Sequence, residues 1–196
     1  MNESIMFDYA GFYERVAKEM PDNCRLCEIG VADGISALYL ARELYLLRKE
    51  FKLYMVDDMS YGQYVQIKQI YENIIRSGLG EHIEVIPYDS VKASALFNDG
   101  FLDFIFLDSS HQYQETKDSI KAWYPKLKDG GKFAGHDYFE YPSVMLAVDE
   151  LIPKVFTREQ INDDPFEPEE FLHVEGTDRG YGIWHCTKDF YKFLTV

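Results

Sequence analysis

Basic residues are scarce in this chain. Its 196 residues include 20 Lys and Arg against 34 Asp and Glu, which gives a formal net charge of −14. Proteins that bind nucleic acid draw most of their affinity from clustered Lys and Arg, and the sequence has no run of more than three residues dominated by them. The composition therefore argues against a nucleic-acid partner, and it also disfavours strongly anionic substrates.

Long apolar runs are missing as well. No stretch approaches the roughly 18 consecutive apolar residues of a membrane span. The N-terminal residues include Glu3 and Asp8, where a signal sequence has basic and then apolar residues. We therefore expect a cytoplasmic protein with no membrane partner. Apolar residues make up 46% of the chain and charged residues 28%, a composition typical of one globular domain, which we assign to residues 1–196.

Cysteine is rare, with three residues in a chain large enough to fold without disulfides. Cys24 and Cys27 have the spacing of a C-x-x-C motif, which raises the question of a zinc or redox site. They fall in a segment with the pattern of a β-strand, however, where residues i and i+3 point to opposite faces. We therefore expect buried thiols.

Apolar runs typical of β-strands alternate with segments of helical periodicity along most of the chain. This alternation predicts a doubly wound α/β domain, a parallel sheet with helices on both faces. The predicted strands are 25–29, 52–56, 83–87, 103–107 and 132–135, followed by a closing hairpin of 171–175 with 181–186. The predicted helices are a leading helix within residues 1–20, placed to cover the site, and then 35–49, 64–75, 91–97, 112–128 and 142–152.

A glycine turn joins the first predicted strand to the helix after it, in the segment E-I-G-V-A-D-G-I-S at residues 28–36. Doubly wound sheets bind nucleotide-like ligands at this position. Gly30 and Gly34 allow a tight turn and a close approach of the ligand. The middle glycine of a dinucleotide fingerprint is replaced by Ala32, which disfavours NAD and FAD. A turn with a purely structural role is the alternative.

Polar side chains also follow the second and third predicted strands. Asp57 lies 23 residues after Gly34, close to the roughly 20 expected for the acid that accepts hydrogen bonds from ribose hydroxyls. Asp89 and Ser90 suit an adenine amino group and a ring nitrogen. The alternative for each of these residues, and for Ser90 above all, is a helix N-cap.

With these features the chain resembles class I S-adenosylmethionine-dependent methyltransferases over residues 24–186. The resemblance also rests on the blocks F-I-F-L-D-S-S-H at 104–111 and L-K-D-G-G at 127–131. It implies a Rossmann-like, seven-stranded mixed sheet whose last strand is antiparallel, with S-adenosylmethionine as the cofactor. The predicted cofactor-binding residues are Glu28, Gly30, Asp33, Gly34, Ser36, Asp57, Asp89, Ser90 and Asp108.

Three side chains at the ends of the fourth and fifth predicted strands are candidates for a metal site. Neighbouring parallel strands lie about 4.8 Å apart, so Asp108, His136 and Asp137 can converge and bind Mg²⁺ or another divalent cation. His111 is the predicted general base, with Asp108 as the second catalytic residue. The structural alternatives are a helix cap for Asp108 and a hydrogen-bonded core imidazole for His136.

This arrangement is similar to the metal-dependent O-methyltransferases of the catechol and macrocin types. It departs from them at His111, where the catechol type has a catalytic Lys, and at His136-Asp137, where the family has Asp-Asn or Asp-Asp. The N-P-P-Y and D-P-P-Y motifs of amino-group methyltransferases are absent after the fourth predicted strand. We therefore predict methylation of a hydroxyl on a small molecule, assisted by a divalent metal.

Two alternatives to this function stay open at this point. One is a relative with the same fold and a different, hydroxylase-like chemistry. The other is a cofactor-binding or non-catalytic interaction module, in which exposed aromatic residues such as Tyr138, Phe139 and Tyr141 contact a protein. The aromatic-rich leading helix is also a surface suited to a homodimer.

Overall fold

The structure is a computed structural model that describes residue 7 and residues 9–60, 64–152, 157–159 and 182–188. The strands are β1 (Cys24–Ile29), β2 (Phe51–Asp57), β3 (Ile83–Pro87), β4 (Leu102–Leu107), β5 (Leu127–Gly135), β6 (Thr157–Glu159) and β7 (Ile183–Thr187). The helices are α1 (Ala10–Glu19), α2 (Ile35–Leu46), α3 (Tyr64–Ser77), α4 (Ser90–Ala93), α5 (Tyr113–Trp123) and α6 (Pro142–Leu151).

The strands form one sheet in the order β3-β2-β1-β4-β5-β7-β6. Strands β1 to β5 are parallel, and β7 runs antiparallel to both of its neighbours. The α/β class and the antiparallel last strand are therefore confirmed. Chain order reverses between β1 and β4, and crevices at such switch points are where doubly wound sheets bind ligands.

The edge of the sheet differs from the prediction. Six strands have five residues or more, and the expected count of seven is reached only with β6, which has three. The neighbour of β7 is β6 at Thr157–Glu159, whereas the predicted hairpin partner, 171–175, lies outside the described residues. With three residues, β6 is too short to show the alternating pattern that predicts a strand.

The junction of α5 and β5 also differs from the prediction. The helix was expected to continue to residue 128, but it ends at Trp123 and a 3-10 turn of Tyr124–Lys126 follows. Pro125 in this turn lacks the backbone N–H that a continuing helix needs. Strand β5 then begins at Leu127, and its register against β4 shifts between Leu102 and Phe104.

Two apolar clusters lie on the two faces of the sheet, so the expected helices on both faces are confirmed. One contains buried side chains of α1, α2 and α3, and the other contains those of α4, α5 and α6. Strand residues alternate between them, as the two-residue period requires: Phe104 and Phe106 belong to the first cluster and Ile105 to the second.

The cysteines follow the same alternation. Cys24 and Cys27 are buried free thiols that belong to opposite clusters, which confirms the expectation of core thiols. Burial raises the pKa of the Cys24 thiol to about 11. Among the described helices, none combines the length and the apolar character that crossing a membrane requires.

Candidate active site

A cleft of about 1200 Å³ opens at the carboxyl ends of the parallel strands. It follows the turn after β1, the ends of β2 and β4, and the first residues of α4, and its described lining contains several carboxylates but no Lys or Arg. A cleft of this kind favours ligands that are cationic or neutral over ligands that are anionic.

The glycine turn forms one wall of the cleft. Gly30 has φ +82°, and a Cβ atom placed on it would lie 1.9 Å from the backbone oxygen of Asp108. Only glycine therefore lets the end of β1 approach the end of β4 this closely. Gly34 has φ +81°, and its N–H donates to the carbonyl oxygen of Val31 at 2.6 Å, which closes the turn.

Glu28 lies beneath the turn rather than in the cleft. Its side chain is fully buried, and its oxygens accept hydrogen bonds from the hydroxyls of Tyr13, at 2.7 Å, and Ser36. Burial raises the pKa of the Glu28 carboxyl to about 8, although these two hydrogen bonds act in the opposite direction. The expected direct contact of Glu28 with a cofactor is corrected to a support of the turn, whereas Ser36 does line the cleft.

Asp57, at the end of β2, accepts hydrogen bonds through both of its carboxylate oxygens. One oxygen of Asp57 accepts from the N–H groups of Val31 and Ala32, at 2.9 and 3.3 Å, and the other accepts from Met59 N and Gln66 Nε2. Asp57 therefore lines the cleft and also fixes the glycine turn.

Asp58 is exposed, lines the cleft, and was missed by the sequence analysis. Its Oδ1 atom accepts from Ser60 N at 2.9 Å, and hydrogen bonds from Ser60 lower the pKa of the Asp58 carboxyl. Its only signal in the sequence was its place directly after Asp57.

Asp33, Asp89 and Ser90 also line the cleft as predicted, whereas Gly34 is not among the lining residues. Asp33 accepts from Ile35 N at 3.2 Å, and Asp89 caps α4 by accepting from Lys92 N at 3.0 Å. The hydroxyl of Ser90 lies 3.1 Å from that of Ser119. Of the two residues for which an N-cap role was the alternative here, Asp89 is the N-cap of α4, and its side chain remains exposed to the cleft.

A carboxylate–imidazole cluster lies where β4 and β5 end. One potential ligand atom from each of Asp108, His111 and Asp137 lies within 4.8 Å of the others. The predicted metal site contained both carboxylates but had His136 in place of His111. The structure therefore brings the two acids together as expected and adds the residue that had been predicted as the general base.

His111 is held in place by several contacts. Its Nε2 atom lies 2.7 Å from Oδ2 of Asp137. Its ring stacks on Tyr141 with the centroids 3.9 Å apart and the planes 7° from parallel. The hydroxyl of Ser143 donates to its carbonyl oxygen. The imidazole of an exposed residue is thus oriented toward the cluster before any ligand binds.

His136 contacts the same carboxylates from the protein interior. Its Nδ1 atom lies 3.2 Å from Oδ1 of Asp137 and 3.7 Å from Oδ1 of Asp108. Asp137 thus has one oxygen beside each imidazole. Its φ of +63° falls in the left-handed region that few residues other than glycine, Asn and Asp adopt, and such backbone strain is concentrated at functional sites.

Two aromatic residues that precede α1 lie on one side of the site. Phe7 and Tyr9 line the cleft, and the Tyr9 hydroxyl donates to Oδ2 of Asp108 at 3.0 Å. Burial, followed by the charge of Asp108, raises the pKa of Tyr9 well above its usual value. The sequence pattern contained no signal for the contact of Tyr9 with Asp108.

The aromatic surface of the alternative interaction module is not present as expected. Tyr138 is only 2% exposed, and its hydroxyl donates to Asp149 at 2.7 Å. Phe139 and Tyr141 are half-buried, and Tyr141 stacks on His111. Tyr141 therefore contacts the site, and the expectation of an exposed docking surface is wrong for Tyr138.

A doubly wound sheet with a glycine turn at its switch point and acids after successive strands defines the Rossmann-like class of cofactor-binding domains. Residues 27–138, more than half of the chain, match a family described as "Methyltransferase domain". The chain belongs to this family. A comparison with curated proteins gives no significant match.

Solved structures with the same fold are numerous. The O-methyltransferase from Bacillus cereus in complex with SAH has a TM-score of 0.68 and 14% identity, over 96% of this chain and 84% of that one. Cofactor-bound Rv0187 from MTB has a TM-score of 0.69 and 14% identity, over 94% of this chain and 81% of that one. The O-methyltransferase TomG from Streptomyces achromogenes, in complex with SAM, has a TM-score of 0.65 and 12% identity, over 93% of this chain and 78% of that one. At these identities the likeness shows the shared fold.

Proposed function

We propose that this protein is an S-adenosylmethionine-dependent methyltransferase that methylates a hydroxyl group of a small molecule with the help of a divalent cation. Membership of the methyltransferase-domain family supports the reaction class. The observation that carries the rest is the cluster of Asp108, His111 and Asp137, whose ligand atoms lie within 4.8 Å of one another beside the cleft.

The lining of the cleft fits the chemistry of S-adenosylmethionine. This cofactor has a sulfonium and an ammonium group, and the described lining offers carboxylates and no Lys or Arg. Asp33 lies on the glycine turn and is assigned to the ammonium group, and Asp89 is assigned to adenine. Asp58 is assigned to the ribose hydroxyls, because both oxygens of Asp57 already accept hydrogen bonds from the protein. When bound, the cofactor supplies an electrophilic methyl group.

The cluster also fits a divalent cation. Two carboxylates close together need a compensating positive charge, and no Lys or Arg in the described part of the chain lines the cleft. Asp108, Asp137 and one imidazole would hold the ion. When bound, it would lower the pKa of a hydroxyl that it contacts, as metals do for bound water.

The residues around the cluster orient the acceptor and exclude water. An alcohol or phenol is mostly protonated at neutral pH and is therefore a poor nucleophile, so its proton must leave as the methyl group transfers. A carboxylate of the cluster would accept that proton. The rings of Phe7 and Tyr9 limit access of water from the side of α1 and can stabilise a nearby sulfonium by about 0.5–2 kcal/mol.

The choice of oxygen as the acceptor atom can be tested with matched compounds. The purified chain is incubated with S-adenosylmethionine and aromatic compounds that differ only in carrying a hydroxyl, an amino or a thiol group, and formation of S-adenosylhomocysteine is followed. We expect product with the hydroxyl compounds. Turnover with the amino or thiol compounds, and none with their hydroxyl counterparts, would contradict O-methylation.

A further inference from the structure

The cluster offers a cation one imidazole, from His111, and two carboxylates, from Asp108 and Asp137. We infer that His111 is a nitrogen ligand of the cation rather than the general base, and that the site therefore favours a first-row transition cation such as Co²⁺, Fe²⁺ or Zn²⁺ over Mg²⁺. This inference rests on the proposed function, since it concerns the cation that assists the same site.

The position of Nε2 of His111 places this atom among the oxygens that would bind a cation. Nε2 lies 2.7 Å from Oδ2 of Asp137, and one potential ligand atom from each of Asp108, His111 and Asp137 lies within 4.8 Å of the others. A cation placed among the three side chains would be bound by Nε2 and by the carboxylate oxygens. A nitrogen that binds the cation is not available to accept a proton from the substrate.

The position of the ring is fixed in the way that metal-binding imidazoles require. Ligands of a metal site are oriented by a surrounding shell of contacts. The ring of His111 stacks on Tyr141, and the hydroxyl of Ser143 donates to its carbonyl oxygen. Both contacts come from the start of α6, so this helix holds Nε2 toward the carboxylates.

The imidazole of His136 lies where it can hold the Asp137 carboxylate in its orientation. Nδ1 of His136 lies 3.2 Å from Oδ1 of Asp137, the oxygen opposite the one that faces His111. The ring is buried, with its centroid 4.8 Å from that of Tyr9. We therefore assign His136 to holding the Asp137 carboxylate in place, a change from its predicted role as a ligand.

The donor set determines which cations the site prefers. Mg²⁺ takes oxygen ligands in an octahedral arrangement and retains its waters. Imidazole nitrogen suits the later first-row ions, whose affinity rises along the series from Mn²⁺ to Cu²⁺. One nitrogen among three protein ligands thus shifts the preference of the site away from Mg²⁺. Loss of that nitrogen should reduce the difference in affinity between Mg²⁺ and the transition cations.

Cation binding to the full chain, after treatment with a chelator, tests the inference. Affinities for Co²⁺ and Mg²⁺ are measured by titration calorimetry, and pulsed EPR of the Mn²⁺-loaded protein detects coupling to a nitrogen ligand. The variants are His111→Gln, His136→Gln and, as a matched control at the start of β3 on the opposite edge of the sheet, His82→Gln. Circular dichroism spectra check that each variant folds.

We expect Co²⁺ to bind at least about tenfold more tightly than Mg²⁺, and His111→Gln to lower the Co²⁺ affinity by about 10–100-fold. Nitrogen coupling should vanish in His111→Gln and persist in the other two variants. Equal affinities, or coupling that survives His111→Gln and vanishes in His136→Gln, would overturn the inference. So would a chain that binds S-adenosylmethionine but no cation, and that result would leave the methyltransferase proposal standing. A chain that binds neither would overturn both.

Discussion

Oδ2 of Asp137 lies 2.7 Å from Nε2 of His111, so the segment after β5 and the loop before α5 meet at this contact. Asp137 is 6% exposed and has a left-handed backbone conformation with φ +63°. The carboxylate is therefore held by the fold in a conformation that most side chains would not adopt. This relationship defines the chemical centre of the site.

Replacement of Asp137 by Asn should remove the charge and leave the backbone intact, because Asn also tolerates the left-handed region. We expect the affinity for a divalent cation to fall at least about tenfold. Calorimetric titration of Asp137→Asn with Co²⁺ measures this change, with circular dichroism as the check on folding. An unchanged affinity would place the cation elsewhere.

Removal of the Tyr9 hydroxyl should destabilise the fold. Tyr9→Phe keeps the ring in its buried place but removes the hydrogen bond to Asp108, and a hydrogen bond to a charged group contributes about 1.5–3 kcal/mol. Urea unfolding measures the free energy of unfolding. Tyr39→Phe is the matched control, because that hydroxyl donates to Glu14 at a partly exposed position and should cost about 1 kcal/mol or less. Equal losses in the two variants would contradict a special role for the Tyr9 contact.

Much of the fold could be predicted from the sequence, because each element has a local signal. The bounds of β3 agree with the prediction, and α3 ends at Ser77, two residues beyond the predicted end. The start of β5 was placed too late, because the register shift that includes Leu127 depends on pairing with β4 and has no local signal.

The site was predictable to the extent that it follows strand ends. Asp108 and Asp137 were brought together correctly, since parallel strands expose their carboxyl ends at one edge. The contact of His111 with Asp137 could not be predicted, because the stacking of His111 on Tyr141 joins two segments that have no common local pattern. The contact of Tyr9 with Asp108 joins residues 99 positions apart, and no pattern in the sequence encodes it.

The buried Glu28 should make stability depend on pH. Its pKa is raised to about 8 in the folded protein, against roughly 4.3 in an unfolded chain. The folded state therefore binds more protons than the unfolded state between these values, and the contribution to stability is fully present below about pH 4.3 and is lost as the pH rises toward 8. Glu28→Gln should remove this loss.

Urea unfolding of the wild-type chain and Glu28→Gln at pH 6 and pH 8 tests the sign of this effect. We expect the stability of the wild type, relative to the variant, to fall between pH 6 and pH 8. A relative stability that rises over this interval would show that the folded protein favours the charged carboxylate.

The close approach of β1 and β4 predicts a large cost for any side chain at Gly30. Gly30→Ala combines a left-handed backbone with a contact of 1.9 Å to the oxygen of Asp108, whereas Gly78→Ala has a similar φ of +71° and no neighbour within 4 Å. We expect Gly78→Ala to cost about 1–2 kcal/mol and Gly30→Ala about 1–3 kcal/mol more. Urea unfolding of both variants measures the difference, and equal costs would contradict the packing of the turn on β4.

Titration calorimetry of the full chain with S-adenosylmethionine tests the central claim most directly. We expect binding in the micromolar range, weakened about tenfold or more by Asp58→Ala, since a lost hydrogen bond to a charged group is worth at least about 1.5 kcal/mol. Asp99→Ala, which changes an exposed aspartate paired with Lys126, should bind as the wild type does. If the chain releases no heat with S-adenosylmethionine, with or without a divalent cation, the cleft does not bind this cofactor and the methyltransferase account is wrong.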